Sequence, residues 1–187
     1  MKASLISGLV ILLGLLATAC AEHKDRSGLL KGVKLSPIDI ACPQTDVPDL
    51  RIMIPDGYTL SRLNEPNNVF DKYLVARFSD PDPAPGQIVL TVTRQPLLAV
   101  RDTGETLRSK GTIAGKSVTW LETTVEDDQG TFYQREFVSD EILEEVNRNS
   151  SEPLYLTVFV AGADQQVVEQ LVASVETLKI LPARPNL

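Results

Sequence analysis

The side chains best suited to acid–base chemistry are carboxylates, and Glu122, Glu126, Asp127, Asp128 and Glu136 fall close together in one segment of the chain. Two acids converging in a cleft can hydrolyse a glycosidic bond, one as acid and the other as base or nucleophile. The same residues can instead form a solvated acidic strand edge that discourages edge pairing, or attract a basic protein partner. Imidazole chemistry is confined to one residue. His23, the only histidine, lies in a charged stretch near the N-terminus, whereas a Ser-His-Asp or Cys-His arrangement needs an imidazole positioned by packing.

Other motifs fall short of a chemistry. The sequence has neither the His cluster nor the paired Cys spacing of a zinc site. Asp80-Pro81-Asp82 opens like a calcium loop, but Ala84 fills the next alternate position and Pro85 stands where the loop glycine belongs, so a rigid solvated turn is expected. Gly111-Thr112-Ile113-Ala114-Gly115-Lys116-Ser117 imitates a phosphate-binding loop with three residues between its glycines. That motif needs four, and a helix after it, because the extra backbone amides and the helix N-terminus cradle the phosphate. The segment after Ser117 reads as a strand instead. Neither a Ser-x-x-Lys pair nor a Gly-x-Ser-x-Gly elbow occurs. No metal, cofactor or nucleotide is expected.

The two cysteines, Cys20 and Cys42, belong to different contexts. Leu5 to Ala17 is an apolar run of thirteen residues; as a helix it would span about 20 Å, short of the roughly 30 Å hydrocarbon core. Lys2 before it and Ala17-Thr18-Ala19 after it give the charged, apolar and small-residue regions of a cleavable export signal. With Cys20 next in the chain, the segment resembles a bacterial lipobox. The alternative is an ordinary secretory signal with an incidental cysteine.

That resemblance implies acylation of Cys20, removal of residues 1–19 and membrane anchoring, and Ala21 after the cysteine implies the periplasmic face of the outer membrane. One acyl chain binds marginally, but the three typical of such lipoproteins hold firmly. Cys20 would then be a thioether, and Cys42 has three readings: a buried thiol, an intermolecular disulfide partner, or a spectator at the domain edge. The spectator is favoured, since Ala41-Cys42-Pro43 sits in an irregular stretch without a basic group to depress the thiol pKa.

Removing residues 1–19 leaves 168 of 187 residues and takes the formal charge from −7 to −8, because Lys2 is lost. That length suits one domain with a hydrophobic core. The acidic balance argues against nucleic acid as a partner, which would require clustered Lys and Arg. Residues 20–47 read as a lipidated tether, with mixed charges from Glu22 to Arg26 and then Gly28, Gly32, Pro37 and Pro43 with no sustained period. As a random coil it would hold the body on the order of 30 Å from the membrane.

Periodicity begins at Leu50. Leu50, Ile52 and Ile54 alternate before a Pro55-Asp56-Gly57 turn, with Tyr58 and Leu60 beyond it, and a strand pair is the simplest reading. Residues 70–78 and 87–94 are further strands. The clearest hairpin spans residues 117–138; a symmetric turn sets Trp120 opposite Phe137, Glu122 opposite Arg135 and Thr124 opposite Tyr133. A bulge at Gly130 would shift that register by one.

Residues 154–160 read as a central strand. Residues 163–174 form a helix with Val168, Leu171, Val172 and Val175 on one face and Asp164 as N-cap. Residues 176–181 close as a strand and 182–187 are a tail. Residues 141–148 suggest a second short helix, and 103–110 are ambiguous.

This order predicts an α+β fold: a single domain at 48–181, mainly antiparallel sheet, with a C-terminal helix packed on it and a final strand. On Ile54-Pro55-Asp56-Gly57-Tyr58 and residues 163–181 the layout resembles the PsbP-like fold. The resemblance implies a binding or assembly role rather than catalysis, although a fold does not fix a function. Two functional expectations result. One is a noncatalytic protein-binding module, an assembly factor or an immunity-type inhibitor of a secreted toxin, which binds a basic partner through Glu122, Glu126, Asp127, Asp128 and Glu136. The other is a carboxylate-dependent enzyme acting on an envelope polymer such as peptidoglycan.

Overall fold

The computed structural model describes residues 21–42, 48–63, 71–77, 86–96, 106–128, 130–144 and 152–182. Strands β1 (Glu22–His23), β2 (Leu35–Ile40), β3 (Leu50–Pro55), β4 (Thr59–Leu63), β5 (Asp71–Ala76) and β6 (Gln87–Thr93) come first, with a 3₁₀ turn at Ser27–Leu30. Strands β7 (Leu107–Ile113), β8 (Lys116–Asp127), β9 (Gly130–Ser139) and β10 (Tyr155–Gly162) come next. Helix α1 (Gln165–Val175) and strand β11 (Lys179–Ile180) come last.

Two sheets form among the described residues: an eight-stranded one ordered β1-β7-β8-β9-β10-β6-β5-β4 and a three-stranded one ordered β11-β3-β2. All pairings are antiparallel except β1 with β7. Alternation explains the layers. Ile88, Leu90 and Val92 on β6, Leu156, Val158 and Val160 on β10, and Val118 and Trp120 on β8 are buried, consistent with a period of two that sends them to one face.

Helix α1 covers that face, packing on β6, β9 and β10, and also meets β3. Its buried residues Val168, Leu171, Val172 and Val175 recur at helical spacing. Asp164 caps it, its carboxylate accepting from the N–H groups of Gln166 (2.7 Å) and Val167 (3.2 Å). Ile40, Leu50, Ile52 and Ile54 of the small sheet complete the same core. The α+β class, the central place of β10 and the late helix therefore agree with the expectation.

The hairpin register also agrees. Glu122 pairs with Arg135 and Thr124 with Tyr133, and the Trp120 and Phe137 rings meet edge to face at 4.8 Å and 83°. Asp127 pairs with Gly130, so no bulge intervenes. The glycine-flanked stretch at 111–117 is a strand–turn–strand: Ala114 and Gly115 have φ of 49° and 80°, the two positive values of a hairpin turn.

Several expectations need correction. Strands β3 and β4 do not pair, because β11 and β2 occupy the two edges of β3; the turn at Gly57, φ 91°, passes the chain to the large sheet instead. Residues 21–42 are not a free tether. β1 lies beside β7, and β2 pairs with β3 from Leu35–Pro55 to Ile40–Leu50, with Pro37 tolerated because β2 is an edge strand. Cys42 is buried in the core rather than a spectator.

The final strand shrinks to Lys179–Ile180, since Glu176 to Leu178 turn off the helix through hydrogen bonds back to α1. Residues 141–144 form a turn, and the rest of the suggested second helix lies outside the described residues. So do the signal segment with Cys20, Asp80-Pro81-Asp82 and residues 183–187.

Candidate functional site

Charged side chains gather where the N-terminal segment, the large sheet and α1 meet. Arg26, between β1 and the 3₁₀ turn, is only 2% exposed. Its Nε donates to Glu169 (2.8 Å), its Nη1 to Glu176 (3.1 Å), and its Nη2 to Ser109 Oγ (2.9 Å) and Glu122 (3.3 Å). One planar guanidinium thus bridges β7, β8 and α1, a geometry that the single charged atom of a lysine cannot match.

Arg135 on β9 answers it from the other side. It donates to Glu169 (2.9 Å from Nε) and to the Gln134 carbonyl (2.9 Å), and lies 3.5 Å from Glu122. Glu122, 6% exposed, also accepts both from Lys24 Nζ at 2.7 and 2.8 Å and from the Ser109 hydroxyl. Trp120 Nε1 donates to Glu176 at 3.2 Å.

Lys24, Arg26 and Arg135 balance Glu122, Glu169 and Glu176. Such a group withstands burial only when charges are matched and hydrogen bonds are filled, since removing an ion from water costs several kcal/mol. Strand alternation supplies the sheet residues: Ser109, Trp120, Glu122 and Arg135 all face α1, and Glu169 and Glu176 stand two helical turns apart.

Gly111 makes room for the cluster. A Cβ there would collide with Glu176 Oε1 and lie 2.8 Å from Trp120 Nε1. Gly111→Ala is therefore expected to displace the Trp120–Glu176 hydrogen bond and to destabilise by about 1–3 kcal/mol. A shift in the denaturation midpoint together with altered Trp120 fluorescence checks this.

Burial pushes the Glu176 carboxyl above the usual range, outweighing the pull of Arg26 and Trp120. In Glu122 burial acts in the same direction, but Lys24, Ser109 and Arg135 overcome it and hold the group below the usual range. The two therefore have opposite linkage. Stability associated with Glu176 is present below the unfolded value, about 4.3, and is lost as pH rises through its raised folded value. That from Glu122 is present above the unfolded value and is lost as pH falls through its lowered folded value. Glu176→Gln is expected to gain stability relative to the parent as pH rises from about 4. Urea midpoints across that range test the sign; a parent that gains on the variant would reverse it.

The five acids expected to form one docking edge do not. Glu122 is drawn into the buried cluster, and Glu136 is 1% exposed, facing the other side of the sheet because it pairs with Leu121 rather than Glu122. Glu126 and Asp128 remain exposed at the hairpin tip. The Asp127 backbone pairs with Gly130; its side chain lies outside the described residues. His23 is exposed on β1, beside Lys110. No group of three or more His, Cys, Asp or Glu among the described residues is placed to hold a metal, and no described helix is long and apolar enough to cross a membrane.

Sequence reasoning missed Lys24, Arg26, Ser109, Glu169 and Glu176 as a set. The available signal was weak: Glu169 and Glu176 share a helical stripe bordering the apolar face. Nothing in the local pattern around Arg26 separates a buried arginine from a solvated one.

Fold and site together define a mixed α+β domain whose N-terminal segment is held down by an internal ionic cluster. No protein-family model matches the chain, and no curated protein matches it. Among solved structures, a Bacteroides thetaiotaomicron protein is similar with a TM-score of 0.43 and 6% identity, over 71% of this chain. The present chain spans only 45% of that protein's length. LpqN, involved in cell envelope biogenesis of Mycobacterium tuberculosis, is similar with a TM-score of 0.45 and 12% identity, over 86% of this chain and 99% of LpqN.

Proposed function

We propose that this protein is an exported lipoprotein, acylated on Cys20 after removal of residues 1–19, whose body of PsbP-like layout is a noncatalytic protein-binding module at the periplasmic face of the outer membrane. Its role is that of an assembly factor or an immunity-type inhibitor of a secreted toxin. The export half rests on Lys2, the apolar run to Ala17 and the small residues before Cys20.

The noncatalytic half rests on one observation: the three carboxylates of the buried cluster face cations. Glu122, Glu169 and Glu176 each accept from Arg26, and two of them from Arg135 or Lys24 as well. A hydrolytic pair needs two acids facing a substrate cleft. These acids are committed to guanidinium and ammonium groups instead.

Within this reading, the surface for a basic partner narrows to Glu126, Asp127 and Asp128. Reversing these three charges to lysine is expected to weaken partner binding about tenfold at low salt and to flatten its salt dependence. Residues 21–187 form the bait, because residues 21–42 pair with the body. Unchanged affinity at low salt removes the hairpin tip from the interface. Turnover of a cell-wall polymer, with no protein retained, refutes the noncatalytic reading. Mass spectrometry of the mature N-terminus tests the lipid on Cys20.

A further inference from the structure

We infer that the groove around the Arg26 side chain is a receptor for an arginine-bearing extended segment of a protein partner, and that residues 21–33 fill it in cis as a displaceable occupant. The inference rests on the noncatalytic protein-binding reading proposed above and adds the form in which a basic partner delivers its charge. Three observations carry it: how the segment is held, what its departure leaves, and what it leaves uncovered.

The segment is held as a docked peptide is. Among residues 21–33 Arg26 alone is buried, so no fully buried apolar side chain ties this stretch into the core. Its main chain adds to the edge of β7 through the pairs Glu22–Ser109 and His23–Lys110, and the Lys24 N–H donates to the Lys110 carbonyl at 3.3 Å. Ladder bonds at a sheet edge, with one side chain in a pocket, are how sheets take extended peptides from other chains. Gly32, exposed with φ of 80°, ends the segment at a residue free to change direction.

The site is built by the body without the segment. Glu122 and Trp120 come from β8, Ser109 from β7, and Glu169 and Glu176 from the end of the sequence that forms and follows α1. Gly111 keeps the wall open, since a Cβ there would meet both Glu176 and Trp120. Lys24 and Arg26 leave with the segment, after which Arg135 remains as the ion-pair partner of Glu122 and Glu169. Three carboxylates then face one guanidinium. The acceptors set free are arranged for another: Glu169 took Nε, Glu176 took Nη1, and Ser109 and Glu122 took Nη2. A lysine brings a single charged atom and cannot fill all three sides.

β1 uses only part of this edge. It pairs with two of the seven residues of β7. Leu107, on the same face as Ser109 and Gly111 by strand alternation, is left 70% exposed. Glu126 is exposed on the same face of β8 as Glu122, four residues further on, about 13 Å away. A strand longer than β1, with an arginine for the groove and an apolar side chain for Leu107, makes contacts that the N-terminal segment does not. It needs them, because an intramolecular occupant competes at an effective concentration on the order of millimolar.

The test uses residues 21–187 with a protease site inserted between Gly32 and Val33 and cut after folding. The probes are two dye-labelled peptides: residues 21–33, and a short unrelated strand former of Thr and Val with one central Arg. Each is expected to replace the cut segment, read as fluorescence anisotropy, and to bind about tenfold more weakly when its arginine is replaced by lysine. Leu107→Ser is expected to weaken the unrelated peptide several-fold. In the uncut chain, the unrelated peptide in excess is expected to speed exchange at the amides of Lys24, Leu29, Lys31 and Val33, a readout that does not depend on the cut body staying folded.

An unrelated peptide that binds equally well with Arg, Lys or Ala at its centre overturns the inference. So does one that neither enters the cut chain nor speeds exchange in the uncut one, because the groove is then a structural clasp for its own segment. Both results leave the protein-binding reading standing, whereas turnover of a cell-wall polymer with no protein retained refutes that reading whatever the peptides do.

Discussion

Arg26→Ala is expected to destabilise the body by about 3–5 kcal/mol, the usual effect of removing one partner from a buried ion group. The substitution leaves Glu122, Glu169 and Glu176 with three acceptor sites facing a void and two cations instead of three to balance them. It also removes what holds the segment from Ala21 to the 3₁₀ turn, since β1 contributes only two residues to the sheet. Denaturation in urea should show a lower midpoint, and limited proteolysis should cut near residue 25 before the body unfolds. Arg26→Lys is expected to recover only part of the loss, because one ammonium cannot span β7, β8 and α1 together. A midpoint unchanged by Arg26→Ala would mean that the cluster adds nothing to folding.

The second large effect falls on Trp120. Its side chain is fully buried, meets Phe137 edge to face, and donates its one N–H to Glu176. Trp120→Ala is expected to destabilise by about 3–5 kcal/mol, through lost contact and the cavity left behind. Glu176 Oε1 keeps its bond from Arg26 but loses the second of its two donors, which adds to the cost. Combining Trp120→Ala with Glu176→Ala is expected to fall short of the sum of the single effects, since each removes one partner of the same hydrogen bond. Additive midpoints would show that the ring acts through packing alone.

These two residues also mark the boundary of what the sequence discloses. Trp120 was legible: it alternates with Val118 and Glu122, faces Phe137 across a symmetric hairpin, and the structure pairs the strands in that register. The same period of two revealed β6 and β10, and the period of 3.6 revealed α1 with its Asp164 cap. Regular burial imprints regular spacing, and spacing is visible in one dimension.

Arg26 was illegible for the complementary reason. Its partners lie 83 to 150 residues away on three elements, and no local pattern encodes that convergence. Residues 21–42 look unstructured because β1 is two residues long and β2 carries Pro37 at a sheet edge. Glu122 and Glu136 illustrate the same limit. Their proximity in sequence suggested one acidic edge, whereas pairing places them on opposite sides of a sheet, both buried. Side assignment needed the register, and burial needed the helix and the N-terminal segment above it.

The clasped N-terminus changes what the anchor proposed on Cys20 would do. A tether of random coil would let the body range on the order of 30 Å from the membrane, whereas a segment fixed from Glu22 onward would hold a body acylated at Cys20 close to the bilayer. Amide hydrogen exchange of residues 22–33 in the processed protein tests this most directly. The amides of Lys24, Leu29, Lys31 and Val33 donate to backbone carbonyls, and they should exchange orders of magnitude slower than in an unstructured peptide and lose that protection in Arg26→Ala. Exchange at unstructured rates throughout residues 22–33, while β8 to β10 stay protected, would contradict the clasp.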